Sequence, residues 1–93
     1  MREKYIEQKL VMAVKQKGGL APKFTAIGFD GMPDRLILMP SGKMAFVEVK
    51  GKEKKPRPLQ LRRKRQLEQL GFLSFILDDP LQIGGIIDEI QST

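Results

Sequence analysis

The sequence predicts one α/β domain of 93 residues, in which helices flank a mixed sheet in the order αβββαβα. Three observations carry this prediction. Helical periodicity at the N-terminus stops at a glycine pair, two extended apolar runs are joined by Pro-Ser-Gly, and a third apolar run lies between two helical stretches. A meander followed by a strand that is reached through a crossover helix gives a sheet with antiparallel and parallel neighbours.

The individual elements are assigned from apolar periodicity and from the glycines and prolines between them. They are a helix over 3–17, strands over 23–27, 35–39 and 43–50, a helix over 58–70, a strand over 72–77 and a helix over 81–90. Gly18 and Gly71 each follow a helix, where a left-handed residue is favoured. Pro58 and Pro80 each fit the first turn of the helix that they open.

The chain contains no cysteine and no histidine, which excludes disulfides, thiol nucleophiles, zinc-finger ligands and imidazole acid–base chemistry. A metal site would therefore be built from oxygen ligands, which suit Mg²⁺, Mn²⁺ or Ca²⁺. No apolar run reaches the roughly 18 residues of a membrane span, and the N-terminus lacks the apolar core of a signal peptide. We expect an intracellular protein that makes no membrane contact.

Positive charge is concentrated in one stretch of the chain. The net charge is +6, and nine of the 17 Lys and Arg residues lie within 50–65, beside a single acid. This excess indicates a polyanionic partner. The residues predicted to contact phosphate are Lys52, Lys54, Lys55, Arg57, Arg62 and Arg63. A solvated basic face, or a nuclear-import signal in KEKKPR, is the alternative interpretation.

The turn between the second and third predicted strands brings two acids together. The loop 40–42 has the proline and glycine of a three-residue hairpin built on a type I turn and a left-handed glycine. This loop length pairs Met39 with Lys43 and, at the open end of the hairpin, Asp34 with Glu48. Two directly opposed like charges destabilise a sheet, and a divalent cation between them would offset the repulsion.

Other polar side chains are predicted to join this acidic pair. Lys50 lies two residues beyond Glu48 on the same face of its strand and supplies a positive group. Glu7 lies at the border of the apolar stripe of the first helix and points inward. Glu3 lies one turn earlier on nearly the same face, where we favour an electrostatic role at the helix N-terminus. Gln60, in the first turn of the second long helix, is placed to reach toward the site.

Simpler interpretations exist for the same residues. Asp34 could cap the turn after Pro33, Glu48 could simply pair with Lys50, and Gln60 could be an ordinary surface residue. These alternatives leave the coincidence of the turn register with the two acids unexplained.

Taken in order, these residues resemble a known nuclease pattern. Glu7, the PD at 33–34, the ExK at 48–50 and Gln60 are similar to the PD-(D/E)xK nuclease superfamily. More narrowly, the chain resembles a stand-alone virus-type replication-repair nuclease (VRR-NUC) domain of phage or bacterial type. The similarity runs over nearly the whole chain, through MREKYIEQKL, G-x-PDR, VEVK and PLQ. Arg57 departs from the serine that is common before PLQ and leaves the helix cap undefined.

The resemblance implies a restriction-endonuclease-like αβββαβ core in a single domain over 1–93, here followed by a short final helix. It also implies phosphodiester cleavage that depends on Mg²⁺ or Mn²⁺. The expected metal ligands are Asp34, Glu48, the Val49 carbonyl and Glu7. Lys50 would orient the attacking water, and Gln60 would hold Lys50 or that water.

Stand-alone members of the family are associated with dimers that act on branched DNA, including four-way junctions. The resemblance therefore implies a homodimeric, structure-selective endonuclease similar to a Holliday-junction resolvase, with a role in DNA repair. Its substrate would be a junction, fork or flap in the cytoplasm of a bacterial or phage-infected cell. The alternative is a non-catalytic basic nucleic-acid-binding module, in which the carboxylates are structural. A purely structural interaction protein would leave the clustered basic residues unexplained.

Overall fold

The computed structural model describes residues 1–93 and contains three α-helices and one sheet of three strands. The elements are α1 (Glu3–Gln16), β1 (Arg35–Met39), β2 (Lys43–Val49), α2 (Pro58–Gln69), β3 (Ser74–Leu77) and α3 (Ile83–Gln91). In the sheet, β1 is antiparallel to β2, and β2 is parallel to β3. The predicted α/β class with a mixed sheet is confirmed. None of the helices is long and apolar enough to cross a membrane.

The β1–β2 hairpin has the predicted register, because Met39 pairs with Lys43 and Leu36 with Phe46. The turn itself differs from the prediction. Both Ser41, with φ 68°, and the following glycine, with φ 72°, are left-handed. A type I turn would give Ser41 a negative φ, so the predicted turn type is wrong. The loop length sets the register, and the loop length was predicted correctly.

The strand predicted over 23–27 does not form. A segment over 20–24 instead runs antiparallel along the outer edge of β1, with single bridges at Leu20 and Lys23. Pro22 lies between these bridges and has no N–H to donate to a ladder. Its carbonyl still accepts a backbone hydrogen bond from β1, at 3.0 Å. The segment therefore occupies the place of the predicted first strand and covers the sheet edge without becoming a regular strand.

One face of the sheet is closed by α1 and α3. Its core consists of aliphatic side chains from both helices and from alternate strand positions, among them Ile6, Leu10, Val14, Ile37, Ala45, Val47, Val49, Leu77, Ile86, Ile87 and Ile90. Full burial of such a side chain contributes about 1.5–3 kcal/mol. The final helix is entered through a 3₁₀ turn, Pro80–Gln82, so it begins two residues later than predicted. This core fixes β2 against both helices.

The other face of the sheet carries an aromatic cluster and α2. The ring of Phe46 packs edge-on against Phe24 and Phe72, with centroid separations of 6.0 and 5.7 Å. Two residues further along β2, on the same face, Glu48 meets the first turn of α2. This face is therefore apolar near the hairpin turn and polar at the open end of the hairpin.

Candidate active site

Glu48 is the buried carboxylate of the site, with a side chain that is 8% exposed. Its Oε2 accepts a hydrogen bond of 2.9 Å from Gln60 Nε2 and lies 3.4 Å from Lys50 Nζ. Its Oε1 is also buried, but it has no hydrogen-bond partner. Leaving a buried polar atom unsatisfied costs about 1–3 kcal/mol, and more where the group is charged. The Oε1 atom is thus free to act as a metal ligand, and the contacts of Oε2 hold the carboxylate in place.

Gln60 joins Glu48 to the start of α2. Its side-chain nitrogen donates to Glu48, and its Oε1 accepts the backbone N–H of Arg57 at 2.8 Å. The second bond is one half of a capping box, in which the third helical residue satisfies the N-cap N–H. Gln60 therefore caps the start of α2 through the backbone N–H of Arg57, whatever the side chain at position 57. The structure also changes its predicted partner, since Gln60 contacts Glu48 and not Lys50.

Asp34 immediately precedes β1 and lies at the open end of the hairpin. Its Oδ1 accepts the backbone N–H of Val49 at 3.1 Å. One carboxylate oxygen from each of Glu3, Glu7 and Asp34 lies within 4.8 Å of the other two. We call these three residues the acidic cluster. The structure thus adds Glu3 to the group, although the sequence favoured a helix-dipole role for it. The i, i+4 spacing of Glu3 and Glu7 was the signal that could have identified both.

Glu7 is shared between the acidic cluster and Arg35. Its Oε1 lies 3.4 Å from Arg35 Nη2, while Nη1 of the same guanidinium donates to the carbonyl of Ala21 at 2.8 Å. The Nε of Arg35 is buried without a partner. Because side chains alternate along β1, Arg35 lies on the α1 face of the sheet. It ties α1, β1 and the 20–24 segment together, a role that the sequence did not predict.

Burial and like charges control the ionisation of Asp34 and Glu48. Desolvation raises the pKa of Asp34, and the other acids of the cluster raise it further, against the opposing effect of the Val49 N–H. Desolvation also raises the pKa of Glu48, as does the charge of Asp34, whereas Lys50 lowers it. The fold therefore holds these two acids in a place that disfavours their charge, which is the arrangement expected at a functional site.

Comparison with known proteins agrees with this geometry. No family model matches the chain. The chain is 46% identical over 78 residues to "Putative nuclease p44" of Acyrthosiphon pisum secondary endosymbiont phage 1, and the match covers 84% of each protein. It is also similar to a solved "VRR_NUC domain", with a TM-score of 0.85 and 29% identity, over 95% of this chain and 97% of the other. The chain belongs to the VRR-NUC family of nucleases.

Four of the six predicted phosphate contacts of this VRR-NUC domain are exposed and form no ion pair within the chain. These four are Lys54, Lys55, Arg57 and Arg62. Lys52 is exposed as well, with its Nζ 3.9 Å from Asp79 Oδ2. An exposed pair at that distance contributes little to stability, so Lys52 is still available to a phosphate.

The sixth residue, Arg63, has a different position from the other five. Its Nε donates to the carbonyl of Asp30 at 2.8 Å, and its guanidinium lies 3.8 Å from the ring centroid of Phe29. The next glycine, Gly31, has φ 86° and approaches Leu59 so closely that an added Cβ would lie 2.6 Å from its Cγ. Arg63 thus fastens to α2 the loop that leads into Asp34, in addition to any contact with DNA.

Proposed function

We propose that this protein is a divalent-metal-dependent endodeoxyribonuclease that cleaves branched DNA as a homodimer, in the manner of a Holliday-junction resolvase. The observation that carries the proposal is the buried, unpartnered Oε1 of Glu48 at the same end of the hairpin as Asp34. Buried polar atoms that serve only structure are nearly always hydrogen-bonded. Membership of the VRR-NUC family and the nuclease name of the phage relative support hydrolysis of a phosphodiester bond.

Mg²⁺ or Mn²⁺ fits the available donor atoms, because all of them are oxygens. Asp34 and Glu48 would hold the ion, with the Val49 carbonyl and Glu7 as further ligands. A bound divalent cation would lower the pKa of a water molecule and neutralise charge that develops on the phosphate.

Lys50 and Gln60 would support the reaction from within the chain. The Nζ of Lys50 lies 3.4 Å from Glu48 Oε2, so it supplies a positive charge beside the carboxylate and can orient the attacking water. Gln60, in the first turn of α2, donates a hydrogen bond to the same Oε2 atom. With Oε2 engaged by both residues, Oε1 is the oxygen left for the cation.

The exposed basic residues would contact the DNA backbone. Phosphate contacts position a duplex without reading its bases, so recognition would depend on DNA shape and on salt concentration. Because each chain has one such site, paired cuts across a four-way junction require two copies, which favours a two-fold dimer. The phage origin of the relative supports the cytoplasm of a bacterial or phage-infected cell as the place of action.

A cleavage assay on end-labelled four-way junction, fork, flap and linear duplex tests the proposal, with Mg²⁺, Mn²⁺ or chelator. We expect metal-dependent nicks that are lost in Asp34→Asn and Lys50→Ala. Asp88→Asn and Lys15→Ala are the matched controls, because both residues are exposed and lie outside the site. Symmetric nicks in the junction would support the dimer.

Two outcomes would contradict the proposal. Cleavage that survives the chelator, or that Asp34→Asn performs at the wild-type rate, would remove the metal site from the mechanism. Metal-independent binding without cleavage, unchanged in Asp34→Asn, would favour the alternative of a basic nucleic-acid-binding module.

A further inference from the structure

We infer that a cleft beside α1, on the side of the site away from the basic stretch 52–65, binds a backbone phosphate of the DNA. This α1 cleft has a volume of about 520 Å³, and its lining includes Lys4, Glu7, Lys23 and Arg35. The inference rests on the proposed function and adds a second contact region to it. Neither lysine belongs to the clustered basic residues from which the sequence predicted DNA contacts.

The α1 cleft adjoins the acidic cluster through Glu7. A second cleft, of about 460 Å³, reaches the same cluster through Glu3 and has Lys54 in its lining. Glu3 and Glu7 are one helical turn apart, and their carboxylate oxygens lie within 4.8 Å of each other. The two clefts therefore meet at the acidic cluster. A strand with its scissile phosphate there would continue into the α1 cleft in one direction and toward Lys54 in the other.

The charge of the α1 cleft suits a phosphate. Three cations, Lys4, Lys23 and Arg35, line it together with one acid, Glu7, which leaves a net charge of +2. Arg35 already engages Glu7, whereas Lys4 and Lys23 are exposed and form no ion pair. Their ammonium groups are thus free to bind an external anion.

The shape of the cleft favours a polymer backbone over a small molecule. A small-ligand pocket encloses most of its ligand and presents polar groups in fixed positions. The α1 cleft instead offers two lysines on flexible stems at the rim of an open surface. Flexible point charges bind phosphates along a strand without requiring one geometry.

The test compares two double variants that lose the same charge. Lys4→Gln with Lys23→Gln removes the cations of the cleft, whereas Lys15→Gln with Lys17→Gln removes two from the far end of α1. Neither control lysine lines the cleft, and Lys15 lies about 16 Å from Lys4 along the helix axis, at 1.5 Å per residue. Binding of a labelled four-way junction is measured by fluorescence anisotropy at several salt concentrations, with Ca²⁺ in place of Mg²⁺. A separate assay with Mg²⁺ measures cleavage by the same proteins. Melting temperatures check that all variants fold.

We expect the cleft variant to reduce the magnitude of the slope of log K against log salt by about 0.9 if both lysines share one phosphate, and by up to about 1.8 if each contacts its own. The control variant should keep the wild-type slope. An unchanged slope in the cleft variant, or an equal loss in both variants, would overturn the inference. If the wild type cleaves but the slopes are equal, the nuclease proposal stands and the cleft fails. If only the cleft variant loses slope and no protein cleaves, the cleft stands and the nuclease proposal fails.

Discussion

Ala45, Val47 and Val49 of β2 point into an aliphatic core, whereas Phe46 and Glu48, on the opposite face of the same strand, meet aromatic and polar neighbours. The first face consists of side chains that exclude water and carry no charge. The second face holds a buried carboxylate whose pKa is raised by burial. A buried ionised group of this kind is tolerated only where it is paired, hydrogen-bonded or bound to a metal, as Glu48 is by Gln60 and Lys50. The core side thus supplies the rigidity, whereas the acids come from both sides: Glu48 meets α2, and Asp34 lies with Glu3 and Glu7 of α1.

The largest effect is expected from a cavity on the core side. Ile90 of α3 is fully buried in the aliphatic core and is not one of the polar residues of the candidate site. Ile90→Ala should lower the free energy of unfolding by about 2–5 kcal/mol, as is usual for truncation of a buried aliphatic side chain. The cleavage rate per folded molecule should stay close to that of the wild type. Urea denaturation and a cleavage assay well below the melting temperature measure the two quantities.

The division between the two faces would fail if Ile90→Ala reduced cleavage in a fully folded sample. Such a result would mean that the packing of α3 sets the positions of the Glu48 or Asp34 side chains, in addition to stabilising β2.

The register of the hairpin could be predicted from the sequence, and with it the placement of Asp34 and Glu48 at the same end of the hairpin. Loop length alone decides which residues face each other, so the error in the turn type at Ser41 did not matter. The reach of Gln60 toward the site was also predicted from its place in the first turn of α2, although its contact with Glu48 was not. These features depend on local spacing, which a sequence displays directly.

Features that depend on tertiary contacts could not be predicted in the same way. A strand was predicted over 23–27, but the chain forms only isolated bridges at Leu20 and Lys23, on either side of Pro22. Arg63 was assigned to phosphate from its charge, whereas its contact with Phe29 joins two parts of the chain more than thirty residues apart. Arg35 likewise gained its role only when α1 brought Glu7 to it.

The next effect in size is expected from Gln60→Ala on the α2 side. This change removes the hydrogen bond to Glu48 Oε2 and leaves the carboxylate free to turn. Loss of a residue that orients a metal ligand typically costs 10–100-fold in metal affinity or activity. We expect a shift of that size in the Mg²⁺ concentration that gives half-maximal cleavage. Gln69→Ala, an exposed glutamine at the end of the same helix, is the control and should leave the Mg²⁺ dependence unchanged.

A Gln60→Ala protein with wild-type Mg²⁺ dependence would show that Lys50 alone orients Glu48. The Gln60 side chain would then only cap the start of α2, and its removal would lower the melting temperature without changing the Mg²⁺ dependence.

The smallest effect, in the absence of metal, is expected from Asp34→Asn, and its sign is opposite to that of Ile90→Ala. Because the folded state raises the pKa of Asp34, the stability that this group contributes is present below its unfolded pKa. It is lost as the pH rises through the raised folded value. Asp34→Asn removes that loss and keeps an oxygen to accept the Val49 N–H, so the metal-free variant should melt above the wild type at pH 7.

Added Mg²⁺ should reverse the order of the two melting temperatures, so that the wild type melts above Asp34→Asn. A cation present at 100 times its dissociation constant adds about 2.7 kcal/mol to the folded wild type and little to a variant that binds it poorly. Thermal melts at pH 4 and pH 7, with Mg²⁺ and with chelator, measure the effect, and Asp88→Asn is the control. A structural Asp34 would give a less stable variant under all four conditions. Only a carboxylate that the fold holds for a cation destabilises the metal-free protein and stabilises the loaded one.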